Sequence, residues 1–145
     1  MSVRTHSLAL LAAAGLLLGG TAFGSECARV SVVDVAPRAQ KLYPAVLIEL
    51  DGALPGTMTS ETWRITPGKH TLKVAEAIAP HEFNMVQLRQ RDGRFSDRYK
   101  TLEIVAEPGI TYRLAAKFHP DQRQKIRSGD YWEPVIWKES RESCN

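Results

Sequence analysis

Short runs of alternating apolar and polar residues, separated by Gly and Pro turns, constrain the fold of this chain most. In the clearest run, residues 110–118, the apolar side chains fall at every second position: Ile110, Tyr112, Leu114, Ala116 and Phe118. A period of two is typical of a β-strand with one buried face. Further strands are predicted at 29–35, 43–50, 62–65, 70–74, 84–91, 101–105 and 131–138. Without a convincing amphipathic helix, this pattern predicts an all-β fold, a single antiparallel β-sandwich.

Turn dipeptides and apolar runs refine the prediction. Pro67-Gly68 favours a tight turn that would join strands 62–65 and 70–74 into a hairpin. Asp92-Gly93 is a strong hairpin signal after the strand at 84–91. The nearly continuous apolar run within 43–50 predicts a central strand buried on both faces, and Pro134 predicts an edge strand or a bulge.

The N-terminal segment predicts export. Leu8 to Leu18 is a small-and-apolar run after a weakly cationic start, and Ala22-Phe23-Gly24 has small residues where a signal peptidase cleaves. The run is shorter than the roughly 20 apolar residues that span a bilayer. We therefore expect a signal peptide at 1–24, one domain at 25–145 without a transmembrane segment, and a periplasmic or secreted location.

The two cysteines bracket the predicted mature chain. Cys27 and Cys144 lie close to its two ends, and in an oxidising compartment such a pair favours one disulfide bond. Two free thiols are the alternative. Closing so long a loop stabilises a domain by roughly 4–5 kcal/mol in the chain-entropy model. A bond between them would place the chain ends side by side.

A local resemblance accompanies these patterns. The segment 48–52, Ile-Glu-Leu-Asp-Gly, and the later segment 63–74, with Pro-Gly-Lys-His-Thr-Leu-Lys-Val at its end, resemble PEGA-type β-domains of bacterial envelope proteins. The same kind of turn recurs in transthyretin-like sandwiches. The resemblance covers about a quarter of the mature chain. It implies a small envelope β-sandwich, immunoglobulin- or transthyretin-like, that serves attachment or binding, and it implies no catalytic residue.

Catalytic and metal motifs are absent from the sequence. His70, His81 and His119 do not have the spacing of common metal sites, although His81, Glu82 and Asn84 form one group of potential ligands. There is no nucleophile elbow and no phosphate-binding glycine loop. We therefore predict no catalytic residue, no metal site and no cofactor.

Basic residues concentrate in one part of the chain. Between residues 83 and 127 there are ten Lys and Arg against five Asp and Glu, a net charge of +5. Their densest group predicts a surface that binds phosphate, sulfate or carboxylate groups, next to Phe95 and Tyr99: Arg89, Arg91, Arg94, Arg98 and Lys100. A solvated hairpin loop is the alternative.

Aromatic residues near the C-terminus suggest a sugar platform as a further possibility. Tyr131, Trp132 and Trp137 could stack on the apolar faces of sugars. Alternation along a strand, however, places the two tryptophans on opposite faces, so at least one is expected in the core.

Together these features predict an exported, non-catalytic envelope binding or accessory protein. The expected partners are an anionic envelope glycan, lipopolysaccharide or an envelope protein. Nucleic acid is not expected as a partner of an exported protein. The alternative is a small secreted hydrolase or a protease inhibitor that acts through loops at one end of the sandwich.

Overall fold

The protein is a β-sandwich of two packed sheets. A computed structural model describes residues 27–57, 59–93 and 98–143. The strands and the α-helix are β1 (Ala28–Ser31), β2 (Leu42–Tyr43), β3 (Ala45–Leu50), β4 (Thr62–Ile65), β5 (Gly68–Glu76), α1 (Met85–Asp92), β6 (Tyr99–Ala106), β7 (Ile110–Phe118) and β8 (Trp132–Arg141). The all-β sandwich predicted from the alternating runs is confirmed.

One sheet has five strands and the other has three. The larger sheet has the order β2-β7-β1-β4, with β8 also paired to β7, and the smaller sheet has the order β3-β5-β6. All pairs are antiparallel except β1 with β7, which run parallel. The prediction of an antiparallel sandwich was therefore wrong for the pair of β1 and β7. Gly109 N donates to Cys27 O at 2.8 Å, so both strands start from the same end of the sheet.

The apolar run at 43–50 is divided between the two sheets. Leu42–Tyr43 pairs with β7, whereas Ala45–Leu50 pairs with β5 at the edge of the smaller sheet. Pro44 lies between them and has no N–H for a strand ladder. The predicted central strand is therefore wrong, and Val46 has 47% of its surface exposed.

The Pro67-Gly68 turn does not close a hairpin. β4 pairs with β1 in the larger sheet, while β5 pairs with β3 and β6 in the smaller one, so the turn carries the chain between sheets. The predicted faces of β5 are confirmed, because its alternate side chains are buried: His70, Leu72, Val74 and Glu76.

The helix α1 (Met85–Asp92) takes the place of the strand predicted at 84–91, and Asp92-Gly93 is not a hairpin turn. Asn84 and Gln87 make a capping box: Gln87 N donates to Asn84 Oδ1 and Asn84 N donates to Gln87 Oε1, both at 2.9 Å. This arrangement satisfies two backbone N–H groups at the first turn of α1. The Gln, Leu and Arg residues that follow are good helix formers.

The largest core side chains come from the C-terminal half. Trp132, Tyr131 and Phe118 are at most 1% exposed. Trp137 packs on the opposite face of the larger sheet, against a small cluster that includes Leu42 and Ala115. The expectation of one buried tryptophan is thus confirmed. β8 pairs with β7 alone within the described residues and contains Pro134, as predicted for an edge strand.

The two ends of the described chain meet at Gly109. Its N–H donates to Cys27 O at 2.8 Å, and its carbonyl accepts from Glu142 N at 3.0 Å. Cys144 lies outside the described residues, so its bond to Cys27 stays a prediction that this geometry favours. Residues 1–26 also lie outside them, and the signal peptide stays a prediction. No helix in the described part of the chain has the length and apolar character needed to cross a bilayer.

Candidate ligand-binding site

Within the described residues 89–93 and 98–100, the predicted basic side chains do not share one exposed surface. Arg89 is exposed on α1, Arg98 is partly buried just before β6, and Arg94 lies outside the described residues. Arg91 is only 8% exposed, and Lys100 is half-buried. The prediction of a five-residue anion surface is corrected at Arg91, which a solution ligand cannot reach.

Arg91 is held in the interior by Glu76. Its Nε and Nη2 donate to Glu76 Oε1 and Oε2 at 2.6 and 2.7 Å, and Nη2 also donates to Ile78 O at 3.0 Å. Glu76 accepts from Tyr131 Oη at 3.0 Å and from Ile78 N at 2.7 Å. Burial and the neighbouring carboxylate raise the pKa of Tyr131 well above its usual range. These hydrogen bonds and the ion pair connect α1 to β5.

Lys100 is directed toward the core. Its Nζ donates to Trp132 O at 2.5 Å and lies 5.4 Å from the centre of a Trp132 ring. Burial lowers the pKa of Lys100, against the pull of Asp130 and Glu133. Its charge is therefore engaged inside the molecule.

A different group of basic side chains lies near the carboxylate of Glu82 and its partner Tyr43. We call Glu82, Tyr43, Lys41, Arg123 and Arg38 the Glu82 cluster. Tyr43 donates its hydroxyl to Glu82 Oε1. Lys41 Nζ lies 3.6 Å from Oε1, and Arg123 Nη2 lies 3.4 Å from Oε2. The Arg38 guanidinium lies 5.8 Å from the Tyr43 ring centre.

The fold brings these residues together through backbone pairing and ring packing. Phe118 N donates to Lys41 O at 2.8 Å, which places the turn before β2 beside the end of β7. The rings of Phe118 and Tyr43 pack edge to face with their centres 6.1 Å apart. The Arg123 guanidinium lies 5.6 Å from the centre of the same Phe118 ring. Glu82 ends a short 3-10 helix that opens with Pro80.

The Glu82 cluster combines one ionised carboxylate with a larger number of cationic side chains. The hydrogen bond from Tyr43 lowers the pKa of Glu82 against its burial, and Lys41 and Arg123 lower it further. Burial and the bond to Glu82 raise the pKa of Tyr43 to about 12. Lys41 and Arg123 flank this one carboxylate and Arg38 lies by the Tyr43 ring, so the cluster has a net charge of +2 at pH 7.

The cationic groups remain open to solvent while the carboxylate does not. The Lys41 and Arg123 side chains are 46% and 40% exposed, whereas that of Glu82 is 11% exposed. Arg38 is exposed as well. An arginine has five N–H donors, and the ion pair of Arg123 with Glu82 engages Nη2. The cluster therefore has donors and positive charge to offer an anionic ligand.

The histidines lie at separate places. His81 is 70% exposed with Nε2 3.9 Å from Glu82 Oε1, and His119 Nε2 lies 3.4 Å from Glu133 Oε1. Within residues 27–57, 59–93 and 98–143, no three His, Cys, Asp or Glu side chains are grouped as a metal ion would need.

His70 is occupied at both ring nitrogens. Nδ1 lies 2.7 Å from Asp51 Oδ2, and Nε2 lies 2.7 Å from Thr66 O. Burial lowers the pKa of His70, but the bonds to Asp51 and Thr66 outweigh it and raise the pKa above its ordinary value. A cavity of about 270 Å³ lies beside this ring. Because both nitrogens are bonded, His70 offers that cavity no free base.

Sequence reasoning missed the Glu82 cluster because its cations are scattered along the chain. Arg38 and Lys41 precede β2, and Arg123 follows β7 by five residues. The available signal was local: Arg38, Lys41 and Tyr43 lie close together in an otherwise weakly charged segment. Comparisons with protein-family models, with curated proteins and with solved structures found no match for this chain.

Proposed function

We propose that this protein is an exported, non-catalytic binding protein that holds an anionic group at the Glu82 cluster. The observation that carries the proposal is the charge arrangement: solvent-exposed Lys41 and Arg123 flank a single, mostly buried carboxylate, and exposed Arg38 lies by the ring of Tyr43, which is bonded to that carboxylate. Glu82 orients the cations without neutralising them. A phosphate, sulfate or carboxylate can then replace water at the outer side of the cluster.

The chemistry of the cations favours an oxyanion on a larger molecule. Planar guanidinium groups bind carboxylate and phosphate oxygens in pairs, and Lys41 adds a point charge. Both arginines lie near aromatic rings, which limits the conformations of their long side chains. Sulfated or phosphorylated envelope glycans and lipopolysaccharide have such groups at high density. The PEGA-type resemblance agrees with an attachment role at the envelope.

A binder fits the described residues better than the hydrolase alternative. His70 has both ring nitrogens bonded, and Glu82 is already engaged by Tyr43, Lys41 and Arg123. Neither group is free to accept a proton from a nucleophile. The Glu82 cluster is thus proposed as a binding surface without a reaction.

The test is retention on immobilised heparin and on lipopolysaccharide vesicles. We expect the variant Arg38→Gln/Lys41→Gln/Arg123→Gln to lose retention. Its Tm should fall as well, because the mostly buried Glu82 carboxylate loses the cations beside it, so retention is measured well below the Tm of the variant. Retention of the wild type should weaken with salt, since screening acts over about 10 Å at 0.1 M.

The matched control removes three exposed cations elsewhere: Lys69→Gln, Arg89→Gln and Arg141→Gln. It has the same net charge as the test variant but leaves the Glu82 cluster intact. Retention of the control close to that of the wild type would support the site. Equal losses in the two variants would show that only net charge matters, and the proposed site would be abandoned.

A further inference from the structure

Strand β6 is the least protected edge in the described part of the sandwich. It pairs with β5 over eight consecutive residues without a register shift, and with no other described strand. β3 and β8 have register shifts in their pairing, β8 also contains Pro134, and β4 has only four residues. Bulges, prolines, short length and charged side chains are the usual protection of edge strands. β6 has none of the first three, and its charged side chains are Lys100, which is bonded to Trp132 O, and Glu103.

The solvent-facing side of β6 has two exposed apolar side chains. Val105 is 65% exposed and Tyr99 is 36% exposed, and they stand at opposite ends of the strand. Between them on the same face lie Thr101 and Glu103, both exposed. Tyr99 is next to Ala75, which in turn is next to the exposed Val46 of β3. An apolar row therefore crosses the small sheet and ends at the open edge.

We infer that β6 pairs with β6 of a second copy of this chain, antiparallel about a twofold axis at Leu102. In an antiparallel pair, opposed side chains lie on the same face. A twofold at Leu102 sets Tyr99 opposite Val105 of the second copy and Thr101 opposite Glu103 of the second copy. The two three-stranded sheets become one sheet of six strands.

The side chains of β6 favour this register over those with the twofold axis at Thr101 or at Glu103. A twofold at Glu103 would place two carboxylates directly opposite each other, and like charges in that position are destabilising. A twofold at Thr101 would place Tyr99 against Glu103. With the axis at Leu102, two aromatic–β-branched pairs form, a combination that stabilises sheets. The apolar row Val46–Ala75–Tyr99 then continues onto Val105 of the second copy.

The experiment measures the mass of the full chain in solution by sedimentation equilibrium, over a range of concentrations. We expect a dimer for the wild type. The variants Tyr99→Lys/Val105→Lys and Tyr99→Glu/Val105→Glu should each dimerise at least about tenfold more weakly, since each places like charges opposite each other across the new pair. An equimolar mixture of the two should recover a mixed dimer.

Two further measurements keep the proposal falsifiable. The control variant Val33→Lys/Val35→Lys changes two exposed valines away from β6, at 54% and 84% exposure, and should dimerise as the wild type does. Val105→Lys alone repeats the test with a milder change, and thermal unfolding verifies that each variant is folded. A monomeric wild type, or a mixture of the charged variants that fails to associate, would overturn the proposal.

Discussion

Glu76 of β5 and Arg91 of α1 form a buried ion pair in which two guanidinium nitrogens meet two carboxylate oxygens at 2.6 and 2.7 Å. The pair joins the only α-helix in the described residues to the small sheet. The hydroxyl of Tyr131, which directly precedes β8 of the larger sheet, donates to the same carboxylate. Removing one partner of such a pair leaves the other charge buried without compensation.

We predict that Arg91→Ala lowers the free energy of unfolding by about 3–5 kcal/mol, because the Glu76 carboxylate stays buried and loses its cation. Urea denaturation measures the effect. Arg89→Ala, at an exposed position of the same helix, should change the free energy of unfolding by less than about 0.5 kcal/mol. Similar midpoints for these two variants would contradict the role assigned to Arg91.

The His70–Asp51 pair predicts a pH dependence of stability. The pKa of His70 is raised in the folded state. Its stabilising contribution is therefore fully present below the unfolded value, about 6.5, and is lost as the pH rises through the folded value. The pKa of Asp51 is lowered, first by the bond from Thr71 N and then by His70, so its own contribution is lost only in acid.

Asp51→Asn isolates this contribution. Asparagine tolerates the left-handed backbone of Asp51, where φ is +52°, and keeps an oxygen that accepts from Thr71 N. The difference in unfolding free energy between wild type and Asp51→Asn should be largest near pH 5.5 and should shrink toward pH 9. A difference that does not vary with pH across this interval would mean that His70 is not charged in the folded protein.

Gly68 is predicted to be a position where the backbone conformation, and not a lack of space, disfavours any other residue. Its φ is +128°, and an added Cβ would meet nothing within 4 Å. Gly68→Ala should therefore cost about 1–3 kcal/mol through backbone strain alone. Gly93→Ala, at φ −74°, is the matched control and should be nearly neutral. Equal denaturation midpoints for the two variants would show that the backbone at Gly68 relaxes without cost.

The Cys27–Cys144 bond is predicted from the sequence and favoured by the meeting of the chain ends at Gly109. Mass spectrometry of non-reduced peptides from exported protein should find the two cysteines linked. Reduction should lower the unfolding free energy by up to roughly 4–5 kcal/mol, since it releases a long closed loop. The Cys27→Ser/Cys144→Ser variant should be insensitive to reductant. Recovery of both residues as free thiols would reject the bond.

The helix α1 shows where local patterns conflict. Asn84 and Gln87 have the spacing of a capping box, but Asp92-Gly93 is also a strong hairpin signal and the apolar residues are too few to establish a period. The tertiary partner resolves the conflict. A helix directs Arg91 toward Glu76, and the buried pair forms only in that conformation.

The sequence by itself determined the sandwich class, the strands β5 and β7, and which face of β5 is buried; in β7 the predicted wet face is also buried at Thr111 and Ala115. Strand alternation is a local property with a period of two, so it can be recognised from neighbouring residues alone. Only the tertiary structure decided that β4 and β5 belong to different sheets, that β1 runs parallel to β7, and that Lys41 and Arg123 flank Glu82. These relationships join residues far apart in the chain, and their formation depends on packing and charge pairing across the folded molecule, which no local pattern records.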